Sequence, residues 1–291
     1  VQTTPKNIKY RLLFLFIAAV GIVLVAIQII QTTSARENEH IQPSSAGIIT
    51  PVSPTGNAFW QARHETGNLE EYSWWRMREF PTGTLSIISD PTGSGHGLVL
   101  RSEITRPASS PADSHRLYPV FALKQCYHGS YSSSFSVWAD LPPHSKERGW
   151  ISFATYSTQA GWKDLFGVNL GHENGRDCLV LFHVPEFGKG DFIRYASVPF
   201  PMEEWVTITV KVDQSGIMLL QNDRLVAEAK KNWGPAGVSL CEAHWGLYSQ
   251  GKTASGVLLN DNISIAFDRA FPDNHIMIRP DNLTSETSGH P

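Results

Sequence analysis

Between residues 58 and 267 the chain is a succession of short apolar runs, broken at close intervals by Gly, Pro, Asn or Asp. Within the runs, apolar residues either alternate with polar ones or fill every position. These are the patterns of strands buried on one face or on both. Strands are expected at 85–89, 97–105, 131–139, 150–157, 165–171, 178–184, 205–212, 217–221, 224–230, 243–248 and 262–267. No segment carries the sustained 3.6-residue period of an amphipathic helix. Many short strands without helices close into two packed antiparallel sheets, so the expected fold class is an all-β, two-sheet sandwich.

One segment stands apart. Residues 12–30 are apolar except for Gln28. As a helix they would reach about 28 Å, close to the thickness of a hydrocarbon core. Lys6, Lys9 and Arg11 precede the run, while Arg36, Glu37 and Glu39 follow it. The positive-inside rule then puts residues 1–11 in the cytoplasm, a transmembrane signal anchor at 12–30, and the rest of the chain outside. A cleaved signal peptide is the other reading, with Thr33-Ser34-Ala35 as a small-residue cleavage site near Ala35. Residues 31–57, rich in Ser, Thr and Pro, read as a linker. Residues 58–267 are the domain and 268–291 a C-terminal tail.

A net charge of −3 and a pI near 6.4 exclude a broad basic surface, so nucleic acid is not an expected partner. An acidic polysaccharide would need a locally basic groove. The nine Trp include core residues, and flat aromatic platforms also suit the apolar faces of sugar rings. Cys126, Cys178 and Cys241 show no metal-binding spacing. Buried free thiols are the first reading; one disulfide with a leftover thiol is the second.

Several phrases resemble the concanavalin A-like jelly rolls, in particular the heparin- and alginate-type polysaccharide lyases and the laminin G-like domains. Tyr131-Ser-Ser-Ser-Phe-Ser-Val-Trp138 before Leu141-Pro-Pro143 is similar to a family strand ending in a Leu-Pro turn. Gly149-Trp-Ile-Ser-Phe-Ala-Thr155 is similar to the strand after it. Trp205-Val-Thr-Ile-Thr-Val-Lys-Val-Asp213 resembles a further family strand, and Ile217 to Val226 the hairpin that follows, with Asn222-Asp223 as its turn. The resemblance implies a jelly roll across most of 59–267.

The resemblance also implies a site. His244-Trp-Gly-Leu-Tyr248 is similar to the late Lys-x-Gly-x-Tyr strand of the lyases, with His in place of Lys. On a strand, residues 244, 246 and 248 share one face, where Tyr248 and His244 would both be able to move protons. Arg101-Ser-Glu103 resembles the alginate-lyase Arg-Ser-Glu motif. Arg101 would clamp a uronate carboxylate, with Glu103 holding it in place. The Gln-x-His of those enzymes is missing from the strand around 150–157, so His183 is the replacement candidate. Trp245 is a candidate sugar contact. Glu65, Asn68 and Asp261 resemble a structural Ca²⁺ site, and a turn rich in Asn and Asp is the other reading. The paired-acid strand of jelly-roll glycoside hydrolases does not occur here.

Three functions follow as expectations. The first is an extracytoplasmic, membrane-tethered carbohydrate-binding protein whose partner is a polysaccharide or cell-surface glycan. The second is a polysaccharide lyase acting by β-elimination. The third is a structural envelope or adhesion protein.

Overall fold

In a computed structural model of the chain, residues 40–43, 59–77, 83–105, 114–142, 151–185, 192–250 and 256–269 are described. The expected membrane span at 12–30 lies outside them, as do most of the linker and nearly all of the tail. Among the described residues there is no helix.

The strands form two antiparallel sheets. Sheet A runs, in spatial order, β1 (His40–Pro43), β3 (Trp74–Met77), β6 (Ser114–His128), β15 (Ser239–Gln250), β8 (Ile151–Gln159), β9 (Lys163–Glu173), β10 (Arg176–Val184) and β11 (Phe192–Tyr195). Sheet B runs β14 (Arg224–Lys230), β13 (Gly216–Gln221), β12 (Val206–Asp213), β7 (Tyr131–Asp140), β16 (Gly256–Phe267), β5 (Leu98–Ile104) and β4 (Gly83–Ser89). β2 (Phe59–Ala62) continues the β5 edge of β16, pairing with residues 263–266 where β5 pairs with 256–260. The crossovers match the expected two-sheet sandwich.

One core fills the space between the sheets. Trp60, Phe121, Phe135, Phe153, Phe166, Trp245 and Phe267 are its large buried side chains. β12 contributes alternate residues: Val206, Ile208, Val210 and Val212 point inward, while Lys211 points out. At roughly 25 cal/mol per Å² of buried apolar surface, each such side chain contributes about 1.5–3 kcal/mol.

Each of the eleven expected segments is a strand, most of them longer at the ends. Asn222 and Asp223 form the expected hairpin turn, both at positive φ (48° and 61°), the combination a two-residue type I′ turn needs. β16 starts at Gly256, six residues ahead of the expected 262, so Asn262 lies inside it, at a bulge with φ 50°. Five strands were not expected: β1, β2, β3, β6 and β11. β1 falls inside the stretch read as linker. β6 is the instructive case. Pro119 sits in its middle, and a proline without an N–H argues against an interior strand.

Cys126 of β6 and Cys241 of β15 form a disulfide between adjacent strands, beside a register shift in their ladder. The first reading, three free thiols, is thereby corrected; Cys178 alone is free, and it is buried. The spacing of 115 residues hid the pair, because only the β6–β15 pairing brings the two positions together.

Candidate functional site

β15 is the centre of sheet A, and its alternation separates two environments. Ala243, Trp245 and Leu247 join the main core. His244 and Tyr248 point to the opposite, outward face. There Tyr118, Val120 and Ala122 of β6 form a second, smaller apolar cluster with Tyr248 and Trp162.

His244 lies in the middle of this cluster. Its ring stacks on Tyr118 with centroids 3.9 Å apart. Trp162 lies 5.2 Å from it at a tilt of 50°, and Tyr248 meets it edge-on at 6.1 Å. The Arg116 guanidinium stands over the Tyr248 ring, 5.6 Å from its centroid. Only 2% of His244 is exposed, whereas Tyr248 and Trp162 are partly open. The solvent-facing members are therefore the two aromatic rims, and the imidazole is their packing partner.

The strand register extends this face sideways. One cross-strand row reads Arg116, Tyr248, Ser152, Asn169, Val180 and Tyr195. The next reads Val120, His244, Thr155, Gly167, Phe182 and Ile193. Ser152 and Thr155 hydroxyls bond to each other at 3.1 Å, so small side chains occupy the floor beside the aromatic cluster. Gly167 and Gly171 of β9 leave room that the Phe182, Val180 and Tyr195 side chains fill. Asn169 Oδ1 is buried with no hydrogen-bond partner among the described residues. At the far edge Ile193 and Tyr195 are 57% and 41% exposed. Tyr248 and Tyr195 are four strand spacings apart, roughly 19 Å.

Gly246 serves the backbone of β15. Its φ of 120° disfavours any side chain, and an added Cβ would lie 2.6 Å from the Leu117 carbonyl oxygen. It permits the register shift in β15 between Trp245 and Tyr248 and the close approach to β6.

Three expected partners are elsewhere. Trp245 faces the core, fully buried and stacked on Trp60 at 5.3 Å, because it alternates with His244. Arg101 and Glu103 lie on β5 in sheet B. Ser102 between them points inward and donates to the Leu117 carbonyl of β6 at 2.8 Å. Arg101 and Glu103 therefore point away from sheet A and pair with each other at 2.8 Å. The alternation of that motif was read correctly, but its strand belongs to the other sheet.

His183 is also turned away. It lies on the inward side of β10 with Leu179 and Leu181, and stacks on Phe192. Its Nε2 meets Asp164 Oδ1 at 2.7 Å and Lys231 Nζ at 2.6 Å. Lys231 Nζ reaches Asp164 at 3.3 Å and lies 5.0 Å from the Trp233 ring centroid. Burial alone would raise the Asp164 carboxyl. Hydrogen bonds from His183 and Thr158 and the charge of Lys231 outweigh it and hold the group at about 2.

Of the residues expected to bind Ca²⁺, Asp261 and Asn68 meet side chains and main chain of the protein. Asp261 meets His96 Nδ1 at 2.7 Å, His64 Nδ1 at 3.6 Å and the Asn262 amide at 2.9 Å. Against the effect of burial, these donors keep its carboxyl below the usual range. His64 bonds the buried Tyr72 hydroxyl at 2.8 Å, and His96 stacks on Trp205 at 3.9 Å. Asn68 Oδ1 accepts from the Thr66 hydroxyl and the Glu70 N–H, and Glu65 is exposed. Among the described residues no group of three or more His, Cys, Asp or Glu is arranged to hold a metal.

Tyr118, Arg116, Trp162 and Glu242 are the members that sequence reasoning missed. Arg116, Tyr118, Val120 and Ala122 do alternate, but Pro119 hid their strand. Trp162 lies in a turn, and only its neighbours in space give it a role. Its main-chain N–H donates to Glu242 Oε2 of β15 at 3.1 Å.

No protein-family model matches this chain, and no curated protein matches it. Among solved structures, alginate lyase A1-II' of polysaccharide lyase family 7 is 12% identical, with a TM-score of 0.47, over 63% of this chain and 84% of that one. The cellulose-induced protein Cip1 is 12% identical, with a TM-score of 0.46, over 66% and 89%. The carbohydrate-binding module CBM66 from Bacillus subtilis is 11% identical, with a TM-score of 0.33, over 64% and 91%. At this distance the comparisons assign neither an activity nor a ligand to the chain.

Proposed function

We propose that the chain is an extracytoplasmic, membrane-tethered carbohydrate-binding protein, and that the outward face of sheet A is its glycan groove. The observation that carries this reading is the pair of cross-strand rows. They join the half-open Tyr248 ring, beside Trp162, to the exposed Tyr195 across Ser, Thr, Asn and Gly positions together with Val180 and Phe182. Aromatic faces take the apolar side of a pyranose. The apolar run at 12–30 supports export, as does the Cys126–Cys241 disulfide, a bond that persists in oxidising compartments.

Arg116 favours a second reading, polysaccharide lyase chemistry. A guanidinium over Tyr248 would neutralise a uronate carboxylate next to a phenol able to carry the proton in β-elimination. On this reading Arg116 takes the part that Arg101 had in the sequence.

Calorimetric titration with neutral and uronate glycans tests the first reading. Tyr248→Ala is expected to weaken binding about tenfold, or ~1.4 kcal/mol, while Tyr248→Phe retains most of it. No binding to any glycan by the native protein refutes the reading. Unsaturated product absorbing in the near ultraviolet, abolished in Tyr248→Phe, would establish the lyase reading instead.

A further inference from the structure

We propose that Asp164, gripped between His183 and Lys231, is a positioning residue that sets the Trp162 indole at the rim of the His244–Tyr248 face. The inference rests on the glycan-groove reading of that face.

Trp162 lies in the turn between β8 and β9, and Asp164 is the second residue of β9. Gly161, Trp162 and Asp164 have φ values of 78°, 57° and 50°. Left-handed backbone at a tryptophan and an aspartate is strained and persists only where the surroundings hold it. The surroundings here are specific. The one Ser157 hydroxyl proton is shared between the Gln159 and Lys163 carbonyls, 2.5 and 2.9 Å away. The Thr158 hydroxyl donates to the Asp164 carboxylate, with the Asp164 carbonyl 3.2 Å away. The Ser239 hydroxyl donates to the Thr158 carbonyl at 2.6 Å.

The two side chains therefore lie on opposite faces of sheet A. Trp162 joins the outward aromatic cluster, its N–H tied to Glu242. Two residues later, Asp164 reaches inward to His183 of β10 and to Lys231, which follows β14 of sheet B. His183 is 1%, Lys231 6% and Asp164 16% exposed, so the grip is largely shielded from water. His183 Nε2 cannot donate to Asp164 and accept from Lys231 at once. With a proton on Nε2 the ring donates to Asp164; with the proton on Nδ1, Nε2 accepts from Lys231, which itself reaches Asp164. The carboxylate is held in both arrangements. A rim side chain on a strained turn is thus fixed from behind by a buried charge cluster.

The test uses the full-length protein labelled with 5-fluorotryptophan, with Trp162→Phe assigning the Trp162 fluorine line. Asp164→Asn is expected to shift or broaden that line while those of Trp60 and Trp245 stay in place. In a glycan titration Asp164→Asn is expected to weaken binding several-fold in the native background. In the Trp162→Ala background it should cause no further loss beyond about twofold, because the two residues act through one contact. An unmoved Trp162 line, or affinity losses that simply add, overturns the proposal. If Asp164→Asn does not fold, His183→Gln goes through the same measurements with the same expected and overturning results. If the native protein binds no glycan, the groove reading falls, and the fluorine line still decides whether Asp164 positions Trp162.

Discussion

His244 lies flat on Tyr118, with ring centroids 3.9 Å apart and planes 14° apart. A buried, stacked imidazole serves as a packing element between Tyr118, Trp162 and Tyr248. His244→Phe is expected to keep both fold and glycan retention. His244→Ala should cost about 2–3 kcal/mol in urea unfolding and weaken binding by loosening both rims. A complete loss of function in His244→Phe with stability intact would return a chemical role to this residue.

Gly246→Ala is expected to be among the most damaging single-methyl additions in the domain. The new Cβ would meet the Leu117 carbonyl at 2.6 Å, the Ser102 hydroxyl at 2.9 Å and the Tyr118 Cα at 3.1 Å, on a backbone with φ 120°. Two of these neighbours are backbone atoms, which cannot swing aside. A loss of about 2–4 kcal/mol in chemical denaturation is expected. A change under half a kcal/mol would contradict the packing described.

Removing the Cys126–Cys241 link in a Cys126→Ala/Cys241→Ala chain is expected to lower unfolding free energy by about 2–5 kcal/mol, since the bridge closes a long loop. Cys178→Ala should change little beyond a small cavity term. Thiol labelling of the unfolded native protein under non-reducing conditions should count one free thiol, and three after reduction.

Acid should destabilise the domain through Asp164. Its folded carboxyl sits at about 2 against an ordinary 3.8, so the folded state binds this proton more weakly than the unfolded state. The resulting stabilisation, about 2 kcal/mol, is present above pH ~4 and is lost as pH falls towards 2. Asp261, also lowered, acts in the same direction. Asp164→Asn should flatten the acid limb of a stability-against-pH curve; an unchanged limb would assign acid sensitivity elsewhere.

Much of the fold was legible because a strand's period of two is a local property. Val206 to Val212 announce β12 whatever they pack against, and Asn222-Asp223 announce their turn because few residues tolerate positive φ there. β6 was not legible, since Pro119 interrupts its pattern and the tolerance for that proline comes from the surrounding sheet. β11, four residues long, is too short to carry a period. In the site, alternation placed His244 and Tyr248 together and by the same token set Trp245 against them.

By itself the sequence determined the class of fold, most of its strands and which residues of each strand travel together. The tertiary structure alone decided which sheet each strand joins and which face looks outward. Those choices sent Arg101 to the far side of the sandwich, brought Arg116 over Tyr248, joined Cys126 to Cys241 and turned His183 toward Asp164 and Lys231. Alternation is set by backbone geometry within a few residues. Strand order and register are set by hydrogen-bonded pairings between distant segments, whose free energy appears only when both faces of the sandwich are assembled.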